Sequence, residues 1–249
     1  MNEASATSPK FTGRSLTGSR VCISMYFFLF GFTFASWASR IPAIQQQLHL
    51  TDPELGAVLL SMPVGSFIAL PFSGYFTAKL GSRKIALFSG VVYCVLLAGI
   101  GLAQNTWLLS CLLFFFGAAG NMLNIAINTQ AIALEKSYDK TIISSFHGMW
   151  SVAGLVAASL GTVFIAKAFP VSGHFILTGG ASLVFFFVCA SWLVSENNST
   201  FEKRPIFAKP DKALWGLGII AFCSLICQGA MFDWSGVYFK KVVECEPAY

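Results

Sequence analysis

The chain has 249 residues, of which 55% are hydrophobic and 11% charged, with 16 Lys and Arg against 11 Asp and Glu. A soluble globular domain carries about 25% charged residues, and it could not keep so much apolar surface from water. The same numbers exclude a largely disordered chain, and the positive charges are too scattered for a nucleic-acid-binding face. The composition therefore indicates a polytopic membrane protein.

Long windows without Asp, Glu, Lys or Arg mark the membrane-spanning segments. A spanning helix needs about 20 apolar residues, and the window at 85–134 accommodates two helices separated by a polar turn at 103–107. We predict seven spans, at about 21–39, 55–76, 85–103, 107–129, 143–167, 175–194 and 214–234. The predicted fold class is all-α, because a bilayer satisfies no backbone polar group and these segments lack the alternation of a β-barrel.

The basic residues are divided unevenly between the two sides of the predicted bundle. The N-terminal tail and alternate loops hold all but four of the 16, and the four others are Arg40, Lys167, Lys240 and Lys241. By the positive-inside rule we expect a cytoplasmic N-terminus and an extracytoplasmic C-terminus, in the inner membrane. Residues 1–20 are predicted to be a polar cytoplasmic tail and not a signal peptide.

The polar segment 195–213 is the one predicted linker between modules. It separates six spans at 21–194 from the segment 214–249, which would contain the seventh span and an extracytoplasmic tail. A six-helix unit followed by a charged cytoplasmic linker is the arrangement expected of one half of a twelve-helix transporter.

The loop between the second and third spans carries a recognisable pattern. It resembles the signature of the major facilitator superfamily at this loop, and the matching residues are Gly74, Lys79, Gly81, Arg83 and Lys84. Two positions depart from the signature, because Ala78 stands where an acid is usual and Ser82 where a basic residue is usual. The resemblance implies a conformational role for the loop, and the missing acid implies a changed charge network.

Two further strings, at 31–42 and 229–235, resemble the MosC-like branch of that superfamily, which is distantly similar to fucose permeases. The resemblance covers residues 20–249 and implies secondary active transport of a small polar solute, sugar-like or another small metabolite, by alternating access. It implies an N-terminal half plus one helix, so that a C-terminal half or an oligomeric partner would complete the transporter. The implied partners are membrane lipid and the solute, and no cofactor is implied.

Three asparagines recur on one face of the fourth span. Polar groups inside spans are costly and therefore mark functional positions, and Asn121, Asn124 and Asn128 have helical spacing. One interpretation is a substrate cavity, because amides that donate and accept suit an uncharged polar solute. The other interpretation is hydrogen bonding between helices.

The first and fifth spans supply further candidate substrate-binding residues. Tyr26, Trp37 and Arg40 share a face of the first span, and aromatic walls with a few polar groups are typical of small-molecule pockets. Arg40 either binds an anionic group or extends to the outer interface, just before Pro42 ends the helix.

His147 and Trp150 share a face of the fifth span. His147 is expected to be the only histidine within a span, where it either couples transport to protons or lies satisfied at the interface.

The seventh span adds Gln228 and Asp233 as candidate binding residues, with Asp233 at its edge. We expect no enzymatic activity, no ATP-driven pumping and no metal site, because the sequence contains no phosphate-binding loop, no Ser-His-acid set and no zinc signature. The alternative function is a seven-helix receptor or interaction protein without transport activity. That alternative would leave the loop at 74–84 unexplained.

Overall fold

The structure is a computed structural model that describes residues 15–194 and 212–244. Within these ranges the chain forms eight α-helices: α1 Leu16–Ala38, α2 Ile41–Gln47, α3 Asp52–Leu80, α4 Ser82–Ile100, α5 Thr106–Glu135, α6 Ile143–Ala166, α7 Val171–Ala190 and α8 Lys212–Lys241. Seven of them, all except α2, are long and apolar enough to cross a membrane. This confirms the all-α class and the seven spans. Most of the predicted linker and residues 1–14 of the predicted tail lie outside the described residues.

Several helices extend beyond the predicted spans because polar caps lie outside the apolar windows. α1 begins at Leu16, within the predicted tail, and Ser15 caps it by accepting a hydrogen bond from the Gly18 N–H at 3.1 Å. Asn105 caps α5 in the same way, through the Leu108 N–H at 2.8 Å. Hydropathy thus locates the middle of these helices, whereas in α1 and α5 a polar cap determines the first residue.

The sequence predicted that Pro42 ends the first helix, but the structure shows a second, short helix there. α1 ends at Ala38, and the short helix α2 begins at Ile41 with Pro42 in its first turn. Proline suits that position because the first N–H groups of a helix have no intrahelical partner. Ser39 and Arg40 consequently join the two helices.

α1 is the central helix of the bundle and packs against α4, α5, α6 and α7. On one side Tyr26 lies edge-on to Phe186 of α7, with ring centroids 4.8 Å apart. On another side Phe27 stacks on Phe146 of α6 at 5.6 Å. All four rings are buried, so much of the surface of α1 is used for helix packing.

α3 and α5 form the most extensive helix pair. They cross at Gly65 and Gly117, where a Cβ would overlap the backbone carbonyl of Phe114 or Met62 in the other helix. At the same point the Ser66 hydroxyl donates to the Gly117 carbonyl at 2.9 Å. Small residues allow membrane helices to approach this closely, and the crossing positions the part of α5 that bears the asparagines.

The two ends of the bundle differ in charge. α4 begins and α5 and α7 end on one side, which we call the basic end because it carries Arg20, Lys79, Arg83, Lys84, Lys136 and Lys140. There the Arg20 guanidinium lies 5.5 Å from the ring centroid of Tyr138 in the loop after α5. The other side, at which α1 ends and α7 begins, is called the distal end.

α8 is packed far less than the other long helices. Of its described side chains, from Leu214 onward, only Val237 is buried, and every residue in 214–230 is exposed. Its described contacts with the bundle lie further along, where Phe232 meets Phe34 of α1 and Lys241 forms a salt bridge with Asp52 of α3. α8 is therefore attached near the distal end, and most of its apolar surface is uncovered.

Candidate functional site

The asparagines of α5 form what we call the asparagine ladder, Asn121, Asn124 and Asn128. The Asn128 side-chain amide donates to the Asn124 side-chain oxygen at 2.7 Å and to the Asn124 backbone carbonyl at 2.9 Å. All three residues are half-buried. These hydrogen bonds stay within α5, and among the described residues none joins the ladder to another helix.

The ladder leaves both donors and acceptors available. The Asn121 side-chain oxygen is buried without a hydrogen-bond partner among the described residues. The Asn124 Nδ2 and the Asn128 Oδ1 also have no partner there, because the bond between the two side chains uses their other atoms. Such a surface can donate to and accept from an uncharged polar molecule, and it carries no charge that would select an ion.

Three rings from different helices form what we call the aromatic cluster, Phe34 of α1, Trp150 of α6 and Phe232 of α8. Trp150 and Phe34 stack with centroids 6.3 Å apart, and Phe232 meets them edge-on at 5.8 and 5.3 Å. The Trp150 indole N–H is buried without a partner in the described chain. The cluster thus attaches α8 to the bundle and holds an unused donor.

The other predicted residues of α6 and α8 are more open. His147 is exposed, and its ring lies edge-on to Phe27 at 5.3 Å. Gln228 is exposed on α8, whereas Asp233, next to the ring of Phe232, is half-buried. The sequence placed Asp233 at the edge of the seventh span. Because α8 continues to Lys241, Asp233 lies within the helix instead.

Tyr26 and Trp37 lie in the interface between α1 and α7. Tyr26 is fully buried, and its hydroxyl donates to the Phe186 carbonyl at 2.8 Å. Trp37 is 1% exposed and packs against Phe175 with centroids 6.4 Å apart. The structure does not bring these two side chains onto the half-exposed surface that carries the asparagine ladder.

Arg40 is buried at the distal end and bonded within the bundle. Its Nε donates to Nδ1 of His174 at 3.1 Å, and its terminal nitrogen donates to the Phe169 carbonyl at 2.8 Å. Burial lowers the pKa of the Arg40 guanidinium from its ordinary value. Because Nδ1 accepts this bond, His174 is neutral with its proton on Nε2. Arg40 therefore ties the end of α1 to the start of α7.

His174 corrects the prediction that His147 is the only histidine within a span. It lies in the first turn of α7 and is fully buried. The predicted span began at residue 175 and so excluded His174 by one position, whereas α7 begins at Val171. The uncharged window that contains this span is longer than one helix and does not define the helix start. Pro170 is the N-cap residue directly before α7, and it is the signal that would have placed the helix start correctly, because proline is disfavoured inside a helix.

The segment predicted as a loop at 74–84 is mostly helical, because α3 continues to Leu80 and α4 begins at Ser82. The sharp turn between the two helices consists of Gly81 alone. Gly81 has φ 89°, a conformation that favours glycine because it has no Cβ. Lys79 donates to the Tyr75 hydroxyl at 3.1 Å and lies over that ring. Arg83 is half-buried and Lys84 is exposed. A Cβ at Gly74 would meet nothing within 4 Å, so packing in the described chain does not require glycine there.

Sequence reasoning missed two polar residues at the end of α5. Gln130 is fully buried and bonded to both α4 and the residue Val194 after α7. Glu135 accepts from the backbone N–H groups of Ile142 and Ile143 at 2.7 and 3.0 Å and thereby satisfies the start of α6. The predicted fourth span ended at residue 129, so neither residue was considered as part of the helix.

Two surface cavities of the described chain lie away from the ladder. One is lined by α1 and α6, with Arg20, Ser24 and Met149 among its residues. The other lies between α3 and α5, near Val64 and Trp107. Neither includes a predicted binding residue, so the ladder is part of an open surface of this chain and not of either cavity. The described residues contain no group of three or more metal-ligating side chains close enough to hold an ion.

Comparison with known proteins identifies the family. Residues 22–246 match the Major Facilitator Superfamily, and the chain belongs to this superfamily of membrane transporters. It is an integral membrane protein, and the part of the chain that the structure describes contains seven helices able to span the bilayer.

Three relatives match most of the chain. An uncharacterized transporter, y4wD, of Sinorhizobium fredii is 32% identical over 225 residues, which are 88% of this chain and 59% of that protein. An uncharacterized MFS-type transporter of Yersinia pestis is 28% identical over 92% of this chain and 59% of its own length. The membrane protein MosC of Rhizobium meliloti is 29% identical over 92% of this chain and 56% of its own length. The chain thus spans less than two thirds of these relatives.

Proposed function

We propose that the complete protein is a secondary active transporter that moves a small, uncharged polar solute across the inner membrane by alternating access. The observation that carries the proposal is the asparagine ladder, with amide atoms left unbonded on a half-exposed helix face. Membership of a transporter superfamily supports it. In this arrangement one bundle is supplied by α1–α7, and the solute binds between it and a second bundle that includes α8.

The ladder and Trp150 would supply the share of the solute site that belongs to the first bundle. Hydroxyl groups of a solute can accept from the Asn124 amide and donate to the Asn128 oxygen, so both amides are used without further protein partners. The Trp150 N–H adds a donor beside an apolar ring surface. Gln228 and Asp233 would face the same solute from α8. Tyr26, Trp37 and Arg40 would act indirectly, by fixing α1 against α7.

The proposal is tested in a complete relative such as y4wD, after labelled sugars and other small metabolites have been screened for uptake into vesicles. Replacing the counterpart of Asn124 by Leu should abolish uptake and leave membrane expression intact, because the bond to Asn128 is local to one helix. The matched control is Thr129→Val on the same helix, since that hydroxyl bonds only to the Ile125 carbonyl at 2.8 Å. Loss of expression in the Asn124 variant would instead favour a packing role.

We infer that His147 is the group through which protons would couple to transport. Its side chain is exposed and makes no described hydrogen bond, whereas the buried His174 is held neutral by Arg40. In the complete relative, replacing the counterpart of His147 by Gln should remove the dependence of uptake on an imposed pH gradient. Replacing the counterpart of His174 by Gln should retain that dependence. Unchanged gradient dependence in the His147 variant would exclude this role.

We propose that the basic end faces the cytoplasm and the distal end faces the opposite side, because most Lys and Arg residues lie at the basic end and in the segments predicted beside it. A Lys203→Cys substitution should then react with impermeant reagents only from the cytoplasmic side. The native Cys245 should react only from the other side. Reaction of both cysteines from one side would contradict the proposed orientation.

A further inference from the structure

The side chain of Gln130 joins three helix ends at the basic end of the bundle. From the last turns of α5, its Nε2 donates to the Ser82 hydroxyl at 2.6 Å and to the Val194 carbonyl at 2.9 Å. Its Oε1 accepts from the Val194 N–H at 2.6 Å. Ser82 is the first residue of α4, and Val194 follows the end of α7. We call these three residues the amide clamp.

The clamp is buried and its amide is fully used. Gln130 and Ser82 are 0% exposed, and Val194 is 3% exposed. A buried amide without partners is costly, but here both polar atoms of the side chain are paired, and two of the bonds go to the backbone of one residue, Val194. Such a reciprocal pair fixes both the orientation of the Gln130 amide and its distance from Val194. The start of α4, the end of α5 and the segment after α7 are thus held in one relative position.

The clamp acts on the turn between α3 and α4 because Ser82 directly follows Gly81. The positive φ of Gly81 sets the direction in which the chain enters α4, and the bond to Gln130 fixes the next residue. Val194 lies outside helical structure, and its N–H has no other described hydrogen bond. The clamp therefore connects the turn before α4 to the chain segment after α7.

We propose that Gln130 is a positioning residue that couples two helix ends to α5. It makes the start of α4, with the turn at Gly81, and the segment that ends α7 move together with α5. A displacement of either helix end at the basic end is then transmitted to the other through neutral hydrogen bonds. The serine at position 82 is part of this device, because a basic side chain there would supply no acceptor for the Gln130 amide. The proposal does not depend on which solute is transported.

The test uses the 249-residue chain in lipid nanodiscs, with spin labels at Lys84 and Ser191 after replacement of the native cysteines. Pulsed electron paramagnetic resonance gives the distribution of distances between the two labels. Gln130→Met keeps the length and most of the volume of the side chain but removes both hydrogen-bonding atoms. The control, Thr129→Val, changes the neighbouring residue, whose hydroxyl bonds only within α5.

We expect a narrow distribution in the unsubstituted chain and in Thr129→Val, and a clearly broader one in Gln130→Met. Ser82→Ala should broaden the distribution in the native background and have no further effect when Gln130 is already Met, because coupled residues are not additive. Hydrogen exchange of the Val194 amide should accelerate by about tenfold or more in Gln130→Met.

A residue that only stabilises the fold would lower the unfolding temperature yet leave the distance distribution narrow in the folded protein, and that result would overturn the proposal. Additive effects of the two substitutions would overturn it as well. If Gln130→Met does not fold, the milder Ser82→Ala variant is tested by the same two measurements. An unchanged distance distribution or an unchanged exchange rate of the Val194 amide in that variant would contradict the clamp.

Discussion

α1 and α8 are both apolar helices able to span a membrane, and they differ in almost everything else. α1 packs against α4, α5, α6 and α7 and buries aromatic rings against two of them. α8 exposes every residue in 214–230 and is attached through residues near its distal end. Apolar composition therefore shows that a helix belongs in a bilayer, while the contacts show whether its partner helices are present.

The glycines of the two helices should give the largest contrast. A Cβ at Gly31 of α1 would lie 2.7 Å from the Trp150 carbonyl oxygen, whereas a Cβ at Gly229 of α8 would meet nothing within 4 Å. Gly31→Ala should destabilise the chain by roughly 1–3 kcal/mol, and Gly229→Ala should be neutral or stabilising by up to about 1 kcal/mol. Thermal unfolding in mild detergent measures both, and equal shifts would remove the distinction.

A pair of tyrosines should give a smaller contrast of the same kind. Tyr26→Phe removes the buried hydrogen bond to the Phe186 carbonyl and should cost about 0.5–1.5 kcal/mol, the usual net contribution of one hydrogen bond. Tyr238 on α8 is 54% exposed, so Tyr238→Phe should leave the unfolding temperature unchanged. A loss from Tyr238→Phe as large as that from Tyr26→Phe would mean that α8 is packed more closely than its exposure indicates.

The spans were predictable because each is a long uncharged window, and a membrane helix must be apolar along its whole length. The functional faces were less predictable. Tyr26 and Trp37 have the spacing of a pocket wall, but α1 is surrounded, so the same spacing describes an interface with α7. His174 and Gln130 were missed because each lies one residue outside a predicted span, where hydropathy does not define the helix end.

The salt bridge between Lys241 and Asp52 should have the smallest effect, since both side chains are about half exposed and exposed ion pairs contribute little. Lys241→Gln should increase the mobility of a spin label at Val243 while leaving the unfolding temperature unchanged. High salt should mimic the substitution in the native chain. The control is Lys240→Gln, and equal mobility changes from both variants would show that the pairing with Asp52 does not hold this end.

The central claim is that no helix among the described residues packs along 214–230 of α8. The accessibility of α8 to lipid tests this claim most directly. Spin labels placed one at a time along residues 217–230 report collision with oxygen dissolved in the bilayer. The account predicts high collision rates on every side of the helix in the 249-residue chain. It also predicts a period of about 3.6 residues in a complete relative, where other helices would cover one face. A helical period already present in the 249-residue chain would contradict the account.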